Sequence, residues 1–226
     1  MNCRLKLARK SVLKELQDGL GDPFAILSPG IGKKLFPSCA ATHSILDGVL
    51  HLINKHNIKA DDIDSVECGI FCLYPTMLIY TRPKTGLEGK FSLEFCVALA
   101  LTERAVRLKH FTDEKVSDPQ IQSLVKRVKK FVTDEVGGKG TQYPGATIKI
   151  DLKNGDRYSH KVTNRKGSPS NPLIEDEIIN KFLDCAGLIH SKEQANRIIA
   201  SVMGIDGVDD IGEFVELTIR KGLFSD

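Results

Sequence analysis

The sequence predicts an α+β fold in which a small, mainly antiparallel sheet with packed helices is followed by C-terminal helices. Residues 146–162 alternate apolar and polar side chains around Asn154-Gly155, a pattern typical of a β-hairpin. Residues 42–55 carry apolar side chains at helical spacing, which predicts an amphipathic helix. After residue 172 three helical patterns follow one another, so we expect strands in the middle of the chain and helices on both sides.

The first element is an amphipathic basic helix over residues 1–20, in which arginine and lysine separate apolar residues at helical spacing. We expect this helix to pack on another domain, although its charge also suits an anionic membrane or an organelle-targeting segment. Glycines and prolines then predict a loop as far as Gly30. Residues 1–30 are therefore assigned to a helix and a linker.

The stretch from Ile31 to Asp47 is the first candidate site. A helix is expected to begin between Cys39 and Thr42, and its first turn leaves backbone N–H groups that suit a carboxylate or phosphate. Lys34 and His43 flank this helix start, and together with the Cys39 thiol and the Thr42 hydroxyl they could bind an anion and move a proton. Alternatively, Cys39 is a small buried residue and His43 a surface residue paired with Asp47.

The middle of the chain predicts two short strands, Ser65–Phe71 and Met77–Tyr80, around a break at Pro75. Ser92 is a good N-cap for the helix that follows, and Lys90 places a cation beside its start, unless that lysine is simply solvated. Pro119 predicts the start of a short helix, and residues 128–136 alternate as a strand does. This segment therefore predicts a second helix start that could bind an anion.

The apolar pattern also predicts the register of the hairpin at Asn154-Gly155. A three-residue loop places Ile150 opposite Tyr158 and Ile148 opposite His160, whereas a two-residue turn places apolar residues opposite polar ones. We therefore expect an odd-numbered loop with Gly155 in the left-handed conformation.

The polar loop at residues 164–172 contains Arg165 and Lys166, a composition found in anion-binding loops and in mobile ones. We expect Asn171 to cap the next helix, with Pro172 at its first position. Ser191 and Gln194 predict the start of a second C-terminal helix, and Asp209 and Asp210 that of a third. Three helices are thus expected after residue 172.

Composition and charge restrict the classes of partner. The 32 basic against 29 acidic residues give a net charge of +3, and the basic residues are spread along the chain, so nucleic acid is not expected as a partner. No apolar run is long enough to cross a bilayer, and the N-terminus does not resemble a secretory signal, so we expect a cytoplasmic protein that does not bind membranes.

Six scattered cysteines without a Cys-x-x-Cys pair predict reduced thiols and neither a disulfide framework nor a metal site. Cys68 and Cys72 fall in a strand-like run, where four residues separate their Cα atoms by about 13 Å, too far for them to share a metal ion.

Four motifs in this order resemble the MmgE/PrpD family, which includes 2-methylcitrate dehydratase, cis-aconitate decarboxylase and iminodisuccinate epimerase. They are the stretch from Lys34 to His43, Lys90-Phe91-Ser92, the Asn154-Gly155 hairpin, and the Gly167–Pro172 run followed by Lys181-Phe182. The resemblance implies that the chain is the C-terminal lid part of a longer protein. It assigns residues 1–30 to the end of a helical domain, 31–172 to an α+β lid domain, and 173–226 to helices that pack on the helical domain.

The resemblance implies chemistry without a metal or cofactor on a small polycarboxylate, in which a proton is removed beside a carboxylate. His43 and Cys39 would then be catalytic, although Cys39 falls where some members carry histidine. Substrate binding would fall to a larger set of side chains, namely Lys34, Thr42, Lys90, Ser92, Arg165 and Lys166.

Two functions follow from this resemblance. In the first, the chain is part of a lyase or isomerase such as a 2-methylcitrate dehydratase, and is inactive until a helical N-terminal domain completes it. In the second, it is a catalytically incomplete fragment that dimerises or binds another protein through its exposed helical surface.

Overall fold

The computed structural model describes residues 20–21, 24–137 and 142–219. Residues 1–19, which carry almost all of the predicted N-terminal helix, lie outside the described residues. The chain divides into two compact units, Met1–Leu173 and Ile174–Asp226.

The first unit contains a four-stranded mixed sheet in the order β2-β1-β3-β4. Its strands are β1 (Ile63–Ile70), β2 (Val128–Val132), β3 (Ala146–Leu152) and β4 (Arg157–Val162). β3 pairs antiparallel with both β1 and β4, whereas β1 and β2 are parallel. The sheet is therefore not purely antiparallel, because a helical crossover returns the chain to β2 in the direction of β1.

The hairpin has the predicted register, with Ile150 opposite Tyr158 and Ile148 opposite His160. Gly155 has φ +93° and its N–H donates to the carbonyl of Leu152, so the turn uses the left-handed conformation that glycine adopts without strain. Apolar residues of β3 consequently all point to the buried face of the sheet.

The described part of the first unit also contains five α-helices. They are α1 (His43–Lys55), α2 (Gly86–Gly89), α3 (Leu93–Glu103), α4 (Asp113–Ser117) and α5 (Pro119–Val125). α1 packs on β3, β4 and α3, while α3 packs on β2 and α5. The fully buried Ile45, Leu46, Phe95 and Ile148 belong to the resulting core, and each such side chain contributes about 1.5–3 kcal/mol of transfer free energy.

The described part of the second unit contains three α-helices, α6 (Glu175–Ala186), α7 (Lys192–Met203) and α8 (Ile211–Thr218). α7 packs on both α6 and α8. Of the residues predicted to cap the last two helices, Ser191 and Asp210 are confirmed, since Ser191 Oγ accepts from the Gln194 N–H and Asp210 Oδ1 accepts from the Gly212 N–H. The Gln194 side chain donates to the Leu217 carbonyl and does not complete a capping box. None of the helices in the described ranges is both long and apolar enough to cross a bilayer.

Three predictions of local structure are wrong. The strand predicted over residues 128–136 ends at Val132, and a 3₁₀ turn at Asp134–Val136 follows it. Residues 77–80 follow a 3₁₀ turn at Tyr74–Thr76 and do not pair with a strand; instead the Leu78 carbonyl accepts from Lys130 Nζ at 3.0 Å. Asn171 does not cap α6, because a bridge to Ser168 holds it in the preceding loop. The helix begins after Ile174, whose N–H donates to the Glu177 carboxylate.

Candidate functional site

A backbone hydrogen bond joins the start of α1 to the segment before α3. The Cys39 N–H donates to the Lys90 carbonyl at 2.9 Å, which brings two of the predicted helix-start motifs together. A single 3₁₀ turn, Ala40–Thr42, then leads into α1. The two helix starts, which lie about fifty residues apart in the sequence, are thus neighbours in the fold.

Hydroxyl groups beneath this helix start bond mainly to one another and to the backbone. Thr42 Oγ1 donates to the Cys39 carbonyl at 2.8 Å and lies 2.8 Å from Ser38 Oγ. Since a hydroxyl has one proton, Ser38 must donate in the second bond. Ser38 and Thr42 are both buried, so these two hydroxyl groups shape the turn from within.

His43, the first residue of α1, is completely buried and packs edge-on against the Phe36 ring with 5.3 Å between ring centroids. The alternative that it is a surface residue is therefore wrong. Asp47, one turn further along, accepts from the Lys166 N–H at 2.5 Å. α1 is consequently linked to the polar loop at residues 164–172.

The polar loop at residues 164–172 is hydrogen-bonded to the extended segment that precedes α1. The Lys33 N–H donates to the Gly167 carbonyl at 2.7 Å, and Arg165 Nη1 donates to the carbonyls of Lys33 and Lys166 at 3.4 and 3.3 Å. Gly167 has φ +83°, and a Cβ there would lie 2.2 Å from the Lys33 carbonyl oxygen. The loop is thus held beside Lys34 by a close backbone approach that requires glycine.

The cations predicted to bind substrate differ in exposure. Lys34 is exposed, and its ammonium lies 3.4 Å from the Ser38 carbonyl at the start of α1. Lys90 is half-buried with its Nζ 5.9 Å from the centroid of the Phe111 ring, Lys166 is half-buried, and Arg165 is only 5% exposed. Lys34 is therefore the most accessible of the four.

Ser92 is fully buried and acts as the N-cap of α3. Its Oγ accepts from the Phe95 N–H at 3.1 Å, as the sequence predicts for a cap. Glu94 in the same turn is buried and forms an ion pair with Lys130 of β2 at 3.1 Å. These contacts orient α3 against the sheet.

A cavity of about 290 Å³, here called the Arg165 cavity, opens beside the start of α1. Arg165 lies over the Tyr143 ring, with its Cζ 4.9 Å from the centroid, and Phe71, Tyr74 and Met77 also line the cavity. Burial raises the pKa of Tyr74 to about 12, against the opposing effect of Arg165, so its hydroxyl keeps its proton. Sequence reasoning missed both tyrosines because neither belongs to a motif.

Most of the described free thiols are buried. Cys39, Cys68 and Cys96 are buried free thiols and Cys185 is an exposed one, but Cys72 is disulfide-bonded, so the prediction of reduced cysteines is wrong at that position. Burial raises the pKa of Cys96, whose Sγ donates to the Gly89 carbonyl. Within the described ranges, no group of three or more His, Cys, Asp or Glu side chains could hold a metal ion.

Comparison with known proteins identifies the family. A model of the MmgE/PrpD C-terminal domain matches residues 36–205, which include α1, the whole sheet, α6 and α7. The chain belongs to the MmgE/PrpD family.

Curated relatives include the cis-aconitate decarboxylases of three organisms. That of Aspergillus terreus is 22% identical over 81% of this chain, and that of Mus musculus is 24% identical over 81%. The Homo sapiens protein is 21% identical over 84%. These alignments cover 39%, 38% and 39% of the relatives, so this MmgE/PrpD chain spans about two fifths of their length.

Proposed function

We propose that this MmgE/PrpD chain supplies the lid side of a lyase or isomerase acting on a small polycarboxylate without a cofactor. The observation that carries the proposal is the exposed Lys34 ammonium beside the start of α1, next to Cys39. The relatives named cis-aconitate decarboxylase support a tricarboxylate as the substrate, and a 2-methylcitrate dehydratase activity is the closest alternative of the same kind.

Lys34 and Lys90 would hold carboxylates of the substrate. When a proton leaves the carbon beside a carboxylate, negative charge spreads onto the carboxylate oxygens, and an ammonium group nearby stabilises that charge. The electron pair left on carbon then expels a neighbouring hydroxyl group, which takes up a proton from a general acid and leaves as water, or the carbon is reprotonated in an isomerase. In a decarboxylase, the pair comes from the C–C bond as carbon dioxide leaves, and a proton is delivered to the carbon.

Of the two residues predicted to be catalytic, Cys39 is better placed to exchange a proton with a substrate. It is 8% exposed, whereas His43 has no exposed surface. We therefore propose that Cys39 faces the substrate and that His43 supports the first turn of α1 from within.

We propose that a helical domain completes the site, because the chain covers about two fifths of its relatives. The helices of the second unit expose many large apolar side chains, as an interface with such a domain requires. They are Ile174, Ile178, Leu188, Ile189, Val202, Met203, Ile205, Ile211, Val215 and Ile219. The same residues favour the second candidate function, a catalytically incomplete fragment that dimerises or binds another protein.

The first experiment measures the native mass of the chain from its own source and identifies any protein that copurifies with it. A stoichiometric helical partner supports the enzyme, and the complex is then assayed with cis-aconitate and 2-methylcitrate. A chain that purifies alone, or as a self-dimer, supports the second candidate.

In the complex, we expect Lys34→Ala to lower kcat/KM by about 10- to 100-fold, since a hydrogen bond to a charged group contributes about 1.5–3 kcal/mol. Lys33→Ala is the matched control, because the neighbouring lysine is also exposed and contributes to the loop contacts through its backbone. Equal turnover by the two variants removes Lys34 from the site.

A further inference from the structure

The Arg165 guanidinium is a buried charge without a carboxylate partner among the described residues. Both of its hydrogen bonds come from Nη1, reach backbone carbonyls, and are long at 3.4 and 3.3 Å. Its Nε and Nη2 groups make no hydrogen bond to any residue that the structure describes. The side chain is only 5% exposed, but these remaining N–H groups are not among the fully buried polar atoms without a partner, so they are accessible to an anion in the cavity.

The walls around this charge are aromatic and apolar. Tyr143 lies under the guanidinium, while Phe71 and Tyr74 form an edge-to-face pair with centroids 5.8 Å apart. Met77 adds a flexible apolar side chain, and the volume of about 290 Å³ accommodates one ring with a short polar group. The protonated Tyr74 hydroxyl is a hydrogen-bond donor for such a group.

Arg165 is also the sole charged side chain among the described residues that line the cavity. A monocarboxylate would be neutralised there by one cation. A polycarboxylate would place a second carboxylate against Phe71 or Tyr143 without a counter-charge, at a desolvation cost of several kcal/mol.

We propose that the Arg165 cavity binds an organic monocarboxylate with an apolar body, with the carboxylate on Arg165 and the body between Phe71, Tyr74 and Tyr143. This site differs from the polycarboxylate site proposed around Lys34. It does not rest on the proposed function, and its test measures binding without turnover.

The test uses the full chain labelled with ¹³C at the methionine methyl groups and titrated with sodium phenylacetate. We expect the Met77 methyl resonance to shift saturably at millimolar phenylacetate. Arg165→Met should weaken binding at least about tenfold, and the neutral phenylacetamide should bind the unchanged chain about tenfold more weakly, because the charge-assisted hydrogen bonds are lost. Arg82→Met, which removes an exposed arginine elsewhere, is the control and should leave the affinity unchanged.

If Arg165→Met fails to fold, a second variant tests whether phenylacetate binds in the Arg165 cavity. Ala40→Leu adds bulk at a half-buried position of the cavity wall, so phenylacetate binding should be lost while the chain stays folded. Unchanged affinity in either folded variant overturns the proposal. Arg165 would then have only a structural role, which is to hydrogen-bond the polar loop to the Lys33 carbonyl. Equal or tighter binding of cis-aconitate at Met77 also overturns it, because the cavity would then belong to the polycarboxylate site.

Discussion

Two imidazole rings stack where α1 meets β4. The rings of His51 and His160 lie 4.2 Å apart between centroids, and those of His56 and Tyr158 also lie 4.2 Å apart on the same pair of elements. Burial lowers the pKa of His160, and the nearby His51 and Lys55 lower it further. The folded protein therefore favours a neutral His160, which lets the rings stack without charge repulsion.

This pKa shift makes the free energy of unfolding depend on pH. As the pH falls through the ordinary histidine pKa, the unfolded chain takes up a proton before folded His160 does. The stability that neutral His160 contributes is therefore present above about pH 6.5 and is lost as the pH falls towards the lowered pKa of the folded state. His160→Phe keeps a stacking ring without titration, so we expect it to lose less stability between about pH 7 and pH 5 than the unchanged chain does.

Urea denaturation at several pH values measures this difference. Burial lowers the pKa of His110 as well, so that residue contributes acid sensitivity of the same sign in both proteins and cancels in the comparison. An identical pH dependence for the two proteins would show that the stack does not titrate as described.

Among the elements, α3 depends on its N-terminal cap. Ser92 Oγ satisfies the Phe95 N–H in a fully buried position, while the Glu94–Lys130 pair joins the same turn to β2. Two residues before this cap, the Lys90 carbonyl accepts the hydrogen bond from the Cys39 N–H. The cap therefore positions part of the candidate site.

We expect Ser92→Ala to lower the free energy of unfolding by about 1 kcal/mol, because the Phe95 N–H loses its acceptor. Ser92→Thr retains the oxygen and should recover part of this loss. Chemical denaturation measures both, and turnover of the completed enzyme should not change while the variants are folded. A loss of kcat/KM with unchanged stability would instead place Ser92 on the substrate.

The elements that the sequence predicts well are those with local signals. Asn154-Gly155 determines a turn within a few residues, and Ser92, Ser191 and Asp210 cap helices through bonds two or three positions away. The parallel pairing of β1 with β2 was not predictable, because it depends on a crossover of more than fifty residues. The bridge between Asn171 and Ser168 was not predictable either. This bridge outweighs the preference of Asn171 for capping a helix.

In the candidate site, too, the features with local signals were predictable and those that depend on tertiary contacts were not. Lys34, Cys39 and Lys90 were singled out at helix starts, and the Cys39–Lys90 backbone bond does bring those starts together. The complete burial of His43 and the Tyr74–Tyr143–Arg165 cavity depend on tertiary packing, for which the sequence carries no local signal.

At the scale of the whole molecule, the two units differ in the size of their cores. The described buried residues of the second unit are Ala186, Ala195 and Ile198, two of which are alanines. The first unit instead buries apolar side chains from α1, α3 and all four strands. Less apolar surface is therefore removed from water in the second unit, which lowers its local stability.

We expect the amides of α6, α7 and α8 to exchange with deuterium faster than those of β3, measured by mass spectrometry of the chain alone. The core amides of β3 serve as the internal reference, since Ile148 and Ile150 are fully buried on that strand. A binding partner that covers the apolar helix surface should slow exchange in α6–α8. Protection of α7 equal to that of β3 in the isolated chain would contradict this expectation.

The order β2-β1-β3-β4 also leaves two strands at the edges of the sheet, where unpaired backbone groups could recruit a strand from another molecule. β4 exposes Arg157 and Lys161, and β2 exposes Lys129. A strand added at either edge from a second copy would bring these cations close together or take them out of water. The charged side chains on both edge strands thus oppose aggregation through the sheet.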